Sequence, residues 1–495
     1  MTEQYKIFET TLSGTAVGNP FKEIWLKATF TNGLDYYTVN GFYCGGGQYK
    51  VRFMPKAPGT WKAVTQSNDP ALNGIDLHCE CAPARPGNHG RILPMNEVRP
   101  QTAETAEDIF HFAYEDGTRF QPFGTTCYAW VNQSEEVQEQ TLKTLAASPF
   151  NKVRMCIFPK FYAYNTTNPE HYAFGGSEES FDFERFDPIF WENLEQRISQ
   201  LDELGIEADV ILLHPYDKWG FSKMPKETDL FYLKYAVDRL CHFKNVWWSL
   251  ANEFDLMPWK PVEDWEQYAR VIMGRDCYGH LRSIHNCVKL YDHNRPWITH
   301  VSIQRIDVYK TAEAVSELRQ QYQKPIVVDE CAYEGNINFG WGNITGEEMV
   351  RRFWEGCIRG GYLSHGEVYI QYPQIWWAHG GTLHGTAPER IDFLKQIMVD
   401  TPERVAPLKL TPENHEANWD VPCLCREDDN SYFLYYFGFF KPAFRTYELP
   451  DNCTYAIELI DTWNMTIEKL PGTYSGSIRI DMPEKQYMAI RMCKV

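Results

Sequence analysis

Residues Asn245–Asp255 read N-V-W-W-S-L-A-N-E-F-D and carry the clearest structural signal in the chain. The apolar run Val246–Ala251 has no polar alternation, which is typical of a strand buried on both faces of a parallel sheet. It ends abruptly in Asn252, Glu253 and Asp255. In such folds the carboxyl ends of the strands carry the chemistry, so Glu253 is the first candidate for a functional residue.

A second apolar run ends in the same way. Residues Pro325–Glu330 read P-I-V-V-D-E. Glu253 and Glu330 are 77 residues apart, which corresponds to about three strand and helix units of a barrel. We therefore expect the two glutamates to end the fourth and seventh strands and to face each other across the mouth of the barrel.

Strand and helix patterns alternate between residues 91 and 405, which predicts a (β/α)8 TIM barrel in an α/β chain. A helical pattern covers Val262–Asn294. A doubly wound open sheet is the competing architecture, but no G-x-G-x-x-G follows a strand. The predicted strands are, in order, 122–130, Lys152–Pro159, Ile206–His214, Val246–Ala251, Trp297–Ser302, Ile306–Tyr309, Pro325–Glu330 and Gly361–Glu367.

Both flanks of the barrel show short strands with turn residues between them. Residues 1–90 and 406–495 each lack helical patterns, which predicts an N-terminal and a C-terminal β-sandwich domain. We expect both to pack against the barrel as scaffolds, although the first could bind sugar.

Composition narrows the class of partner. The formal net charge of −18 disfavours nucleic acids and anionic membrane surfaces. Aromatic residues make up 15% of the chain, and those that are not core can stack on sugar rings, so a carbohydrate is the expected partner. The sequence allows a homo-oligomer but does not decide the oligomeric state.

The expected location is the cytoplasm. No apolar segment is long enough to span a membrane, and the N-terminus lacks the pattern of a secretory signal. The 14 cysteines are scattered, and several of them (Cys127, Cys156, Cys241 and Cys331) lie in apolar runs where free thiols pack as small hydrophobes.

Two facing carboxylates suit retaining glycoside hydrolysis, in which one attacks the anomeric carbon and the other protonates the leaving oxygen. We expect Glu253 to be the protonated partner at rest, with a raised pKa. A lone glutamate in either position would more simply be a solvated loop residue or an ion-pair partner. The paired placement is what favours catalysis.

Neighbouring residues complete the predicted site. Arg154 would hold Glu330 ionised or, equally, form an ion pair inside the barrel. His214 would contact a sugar hydroxyl or, more simply, satisfy buried backbone. The predicted substrate-binding residues are Asn252, Arg154, His214, Trp130, Tyr309, Glu367, Trp376 and Trp377. No cofactor or metal is expected, because the histidines His214, His300 and His365 include no closely spaced ligand pair.

Several motifs resemble the apiosidase-like endoglucanase family of glycoside hydrolase clan A. They are V-W-W-S-L-A-N-E-F-D from residue 246, P-I-V-V-D-E-C-A-Y-E-G from 325, S-H-G-E from 364 and W-W-A-H-G-G-T-L-H-G-T-A-P-E-R-I-D-F-L from 376. V-R-F-M-P-K-A-P-G-T-W from residue 51 resembles the β-sandwich domain that commonly precedes this barrel.

The resemblance implies that Glu253 is the acid/base and Glu330 the nucleophile, with Arg154 and Tyr309 near the nucleophile. Apiose specificity is not inferred, because the family's apiosidases use an aspartate where this chain has Glu253. The sequence thus predicts a retaining, metal-independent glycosidase that acts on plant-derived oligo- or polysaccharide. The alternative is a non-catalytic carbohydrate-binding protein on the same scaffold.

Overall fold

A computed structural model describes residues 1–100, 102–304, 310–426 and 428–495. Its centre is a parallel eight-stranded sheet whose neighbours follow the order of a (β/α)8 barrel. At the remaining junction, between the fifth and sixth strands, Thr299 N donates to Arg282 O at 2.9 Å. Barrel strands 1 to 8 are Phe123–Thr126, Lys152–Cys156, Glu207–Leu213, Val246–Ala251, Arg282–Ser283, Val301–Gln304, Ile326–Glu330 and Tyr362–His365.

Helices cover the outside of the barrel and follow every strand except the fifth, after which residues 284–300 contain no helix. Barrel strand 4 is buried along its whole length, as its apolar sequence predicts. The long helices within the described residues are Glu135–Ala146, Pro188–Glu203, Lys226–Leu240, Val262–Arg275, Ala314–Tyr322, Gly346–Ile358 and Ala387–Val399. No helix in the described ranges is both long and apolar enough to cross a membrane.

The predicted barrel fold is confirmed, but the bounds of the helix after strand 4 and the position of strand 5 are wrong. The helix expected over Val262–Asn294 ends at Arg275, and barrel strand 5 is the two-residue segment Arg282–Ser283. The run Trp297–Ser302, predicted as strand 5, leads into strand 6 at Val301. A two-residue strand is too short to show any periodicity. The segment predicted as strand 6, Ile306–Tyr309, lies outside the described residues.

The flanking domains are β-structures. The N-terminal sheet has seven strands: Thr2–Glu3, Phe8–Ser13, Leu26–Thr31, Tyr36–Gly45, Gln48–Phe53, Gly59–Ser67 and Asp76–Ala82. The C-terminal domain has a six-stranded sheet and a two-stranded ribbon packed around one core. Its strands are Ala406–Pro407, Cys423–Cys425, Tyr432–Tyr436, Tyr455–Asp461, Thr466–Lys469 and Met488–Lys494, with Phe444–Glu448 and Ser477–Asp481 in the ribbon. The boundaries at 90/91 and 405/406 stay a prediction.

Four ionised side chains fill the barrel interior below the mouth. Lys152 Nζ lies 2.7 Å from carboxylate oxygens of both Asp209 and Asp329. Arg154 Nη1 lies 3.2 Å from Asp209 Oδ2 and 3.7 Å from Asp329 Oδ2. All four side chains are completely buried. Two cations and two anions thus neutralise each other, which buried charges require.

Candidate active site

A cavity of about 220 Å³ opens at the carboxyl ends of the barrel strands. Glu253 and Glu330 both line it, so the two predicted residues share one cleft. Its other lining side chains are mostly aromatic or polar. The lining residues are Lys160, Tyr162, Tyr216, Glu253, Cys287, Gln304, Glu330, Ala332, Tyr333, Trp341 and Trp377.

Glu253 enters the cleft through a strained backbone. Its φ of 51° and ψ of 55° are left-handed, a conformation that costs a non-glycine residue about 1–3 kcal/mol and is concentrated at functional sites. Tyr216 Oη donates a hydrogen bond to Glu253 Oε2. The side chain is only 5% exposed. Burial, followed by the negative charge of Glu330, raises the pKa of Glu253 to about 7.

Glu330 is aimed by an irregularity at the end of barrel strand 7. Val328 pairs with Ile303 and Glu330 with Gln304, so Asp329 is an additional residue on its strand. Such a bulge re-aims the side chains that follow it. Asp329 therefore enters the ionic interior while Glu330 lines the cleft, where its Oε1 accepts a hydrogen bond from Tyr128 Oη.

Arg154 links the interior to the cleft. It forms ion pairs with Asp209 and Asp329 inside the barrel, which was one of the two roles expected for it. Its Nη2 also donates to Asn252 Oδ1 at 3.1 Å, which fixes the amide of Asn252. The Nδ2 of Asn252 is buried without a hydrogen-bond partner among the described residues. Asn252 is 1% exposed and is not among the residues that line the cleft, so it lies just below the cleft and not on its surface.

Lys160 supplies the positive charge of the cleft, and it is the only lysine or arginine among the described residues that line it. Its Nζ lies 3.8 Å from the ring centre of Tyr128, 4.3 Å from that of Tyr216 and 4.6 Å from that of Trp377. Such contacts stabilise a cation through the negative faces of the rings. Burial lowers the pKa of Lys160, while the charges of Glu253 and Glu330 oppose that shift.

One of the other predicted binding residues lines the cleft, and others are buried away from it. Trp377 lines the cleft, whereas Trp376 and Trp130 are buried and do not line it. His214 Nε2 lies 3.1 Å from the carbonyl oxygen of Phe158, which matches the simpler expectation that it satisfies buried backbone. Tyr309 lies outside the described residues.

Glu367 lies in a buried cluster beside the cleft. One ligand atom from each of Glu334, His365 and Glu367 lies within 4.8 Å of the others. The two carboxylates accept backbone N–H groups from residues 384–387, at the start of helix Ala387–Val399. Carboxylates at a helix N-terminus are stabilising, so the cluster anchors the segment that follows Trp377. In the described part of the chain, His214, His300 and His365 form no common cluster.

The sequence did not single out several residues of the cleft. Lys160, Tyr128 and Tyr216 each follow a barrel strand within a few residues. This position indicates that they lie near the mouth of the barrel, but it does not indicate where their side chains point. Cys287 follows strand 5, which was predicted at the wrong place, and Gln304 is the last residue of strand 6. Tyr162 and Tyr333 lie in loops already noted for aromatic residues or carboxylates. Trp341 carries no local signal.

Comparison with known proteins gives one family for the barrel. The family model described as "Apiosidase-like, catalytic domain" matches residues 107–400. Domains of unknown function match residues 1–68 (DUF5060) and 419–493 (DUF5605). No curated protein matches the chain significantly.

Solved structures are similar over most of the chain. A "putative glycoside hydrolase from Bacteroides vulgatus ATCC 8482" is 36% identical, with a TM-score of 0.90 over 100% of this chain and 99% of that one. A glycoside hydrolase family 5 protein from the same organism is 16% identical, with a TM-score of 0.63 over 82% of this chain and 94% of that one. The second likeness concerns the fold alone.

Proposed function

The chain belongs to the apiosidase-like family and hydrolyses glycosidic bonds, and we propose that it does so with retention of configuration. Glu330 is the nucleophile and Glu253 is the acid and base. The observation that carries the proposal is the sharing of one cleft by two glutamates in different environments, with the pKa of Glu253 raised to about 7. A carboxyl group whose raised pKa lets it hold a proton, beside a second carboxyl group in the same cleft, is the arrangement that acid/nucleophile division requires.

The reaction takes two steps. A Glu330 carboxylate oxygen forms a bond to the anomeric carbon while the bond to the leaving oxygen breaks, and that oxygen takes the proton of Glu253. A water molecule then attacks the anomeric carbon and gives a proton to Glu253, and the bond to Glu330 breaks. Two inversions give net retention, and both carboxyl groups return to their starting states.

The size of the cleft suits the terminal sugar of an oligosaccharide. A cavity of about 220 Å³ is smaller than the roughly 300–1,000 Å³ of pockets for drug-sized ligands, which favours one sugar ring and exo action. Trp341 and Trp377, with ring centres 5.1 Å apart, supply apolar surface for that ring. The proposed source is a plant-derived oligosaccharide, in line with the family resemblance.

The proposed location is the cytoplasm. All 14 cysteines are free thiols, and most of them are buried. A reducing compartment keeps such thiols from forming disulfides. Fractionation of the native host checks this location, and recovery in a secreted fraction would contradict it.

A trapping experiment tests the mechanism. A panel of aryl glycosides first identifies the sugar that is hydrolysed, and ¹H NMR identifies the anomer formed first. The corresponding 2-deoxy-2-fluoro glycoside with an activated leaving group should then add one glycosyl group to the protein, and peptide mapping should locate it on Glu330. Inversion at the anomeric carbon, or a label on another residue, would refute the proposal. A wild-type protein that binds sugars without hydrolysing any would favour the non-catalytic alternative.

A further inference from the structure

We propose that Lys160 is a counter-cation shared by Glu253 and Glu330, which balances whichever of them carries the negative charge at each stage of the reaction. The inference rests on the proposed double displacement and adds a residue to it. Lys160 acts through the two carboxylates and exchanges no bond with the substrate, so it is a positioning residue.

The surroundings of Lys160 suit this role. The side chain is 3% exposed and has no hydrogen-bond or ion-pair partner within the described segments. Aromatic faces hold its ammonium group instead, at 3.8 Å from Tyr128 and 4.3 Å from Tyr216. These are the tyrosines whose hydroxyls donate to Glu330 and Glu253 respectively. Lys160 thus contacts both of the tyrosines that bind the carboxylates, and among the described residues it forms no ion pair with either glutamate.

The two carboxyl groups and Lys160 together stay neutral through the reaction. In the proposed double displacement, the first step starts from a Glu330 carboxylate and a protonated Glu253. In the covalent intermediate Glu330 is a neutral ester, and Glu253 is ionised because it has given up its proton. One negative charge therefore moves from one carboxylate to the other, while the positive charge of Lys160 stays in the cleft. A cation bound tightly to one glutamate would oppose that transfer.

Other charges near the cleft do not replace Lys160. The ionisable groups that face Lys160 are Glu253, Glu330, Cys156, Arg154, His214, Tyr128 and Tyr216. Those that face Glu253 are Glu330, Lys160, Tyr216, Tyr162 and Cys287.

Most of these neighbours carry no charge near pH 7. The pKa of the Cys156 and Cys287 thiols is raised to about 12, and burial also raises the pKa of the tyrosines, so these groups are neutral. His214, with a pKa lowered to about 4 by burial, is neutral as well. Arg154 is already paired with two aspartates.

The test compares three variants. Lys160→Met removes the charge but keeps an apolar stem against the rings. Lys160→Arg keeps the charge. Lys218→Met is the matched control, because Lys218 also lies over aromatic rings, those of Phe161 and Trp219, but pairs with Glu178 away from the cleft. The measurements are pH profiles of kcat and kcat/KM with the aryl glycoside that the panel identifies, and thermal unfolding of each variant.

Removing the charge should change the pH dependence. The alkaline limb of kcat/KM should move upward by about 1–3 pH units in Lys160→Met, because an ionised Glu253 loses its nearby cation. With an activated leaving group, kcat at pH 6 should fall at least tenfold, since Glu253 is then less often ionised as the base of the second step. Lys160→Arg should keep the limb within about half a unit of wild type, and Lys218→Met should behave as wild type.

Each outcome separates this inference from the function on which it rests. An alkaline limb that stays in place in a folded Lys160→Met variant, with only KM raised, would overturn the shared-cation role and make Lys160 a substrate contact. If Lys160→Met failed to fold, Lys160→Gln would serve in its place, with the same limb as the criterion. Full activity of Glu330→Gln would overturn the double displacement itself, and the role of Lys160 with it.

Discussion

Replacing Glu253 with glutamine should affect substrates according to their leaving groups. Glutamine has nearly the same shape and can still accept the hydrogen bond of Tyr216, so the cleft should keep its form. It cannot donate a proton to the leaving oxygen as a carboxylic acid does. General acid catalysis contributes about 10²–10⁴-fold, or about 3–5 kcal/mol. Because Glu253 is only 5% exposed, bulk water cannot readily replace it, and the loss should lie in the upper part of that range.

The assay measures kcat/KM for aryl glycosides that differ only in the acidity of the phenol. Poor leaving groups should lose about 10³–10⁴-fold, whereas a dinitrophenolate, which leaves without a proton, should lose less than about tenfold. Azide should accelerate the second step in Glu253→Ala and give a glycosyl azide of retained configuration. Glu263→Gln, on an exposed position of helix Val262–Arg275, is the control. Equal losses for all leaving groups, without azide rescue, would refute the acid/base assignment.

Four further outcomes follow from the structure. Wild-type kcat/KM should fall as the pH rises through about 7, because Glu253 then loses the proton that the leaving group needs; a flat pH–rate profile would contradict this. Arg154→Met should lower the free energy of unfolding by about 3–5 kcal/mol in urea denaturation, since two buried aspartates lose a partner. In Gly385→Ala the new Cβ would clash with carboxylate oxygens of Glu334 and Glu367, so the free energy of unfolding should fall by about 1–3 kcal/mol. The control is Gly274→Ala on helix Val262–Arg275, where the new Cβ meets open space and the free energy of unfolding should rise by up to about 1 kcal/mol. Thermal unfolding measures both. EDTA should leave kcat/KM unchanged, and a loss restored by added metal would contradict a metal-independent mechanism.

The sequence was sufficient to predict the barrel and to find the pair of glutamates. Strands 4 and 7 are apolar runs, one followed within two residues by Glu253 and the other ending in Glu330, so both the strand and the direction of its functional end can be recognised. Barrel geometry brings Glu253 and Glu330 to the same mouth, and the left-handed backbone of Glu253 and the irregularity before Glu330 direct both side chains into one cleft. Their catalytic roles stay a prediction.

The middle of the barrel and most of the cleft could not be predicted. Arg282–Ser283 gives no periodic signal, because a strand of two residues has no pattern to repeat. Lys160 follows Phe158 and Pro159 in a loop, where neither propensity nor spacing fixes the direction of a side chain. Its ammonium group contacts three rings from distant parts of the sequence, those of Tyr128, Tyr216 and Trp377. Such convergence is a property of the tertiary structure.

Burial is the property that distinguishes the two glutamates. Each ends an apolar run, and each accepts a hydrogen bond from a tyrosine hydroxyl, so sequence and hydrogen bonding give them the same environment. Glu330 is partly exposed, however, whereas Glu253 is buried. Desolvation disfavours the charged form, and it is the largest cause of the raised pKa of Glu253. A change that lets water reach Glu253, such as shortening Tyr216, should therefore weaken its function as an acid even though both carboxyl groups remain in place.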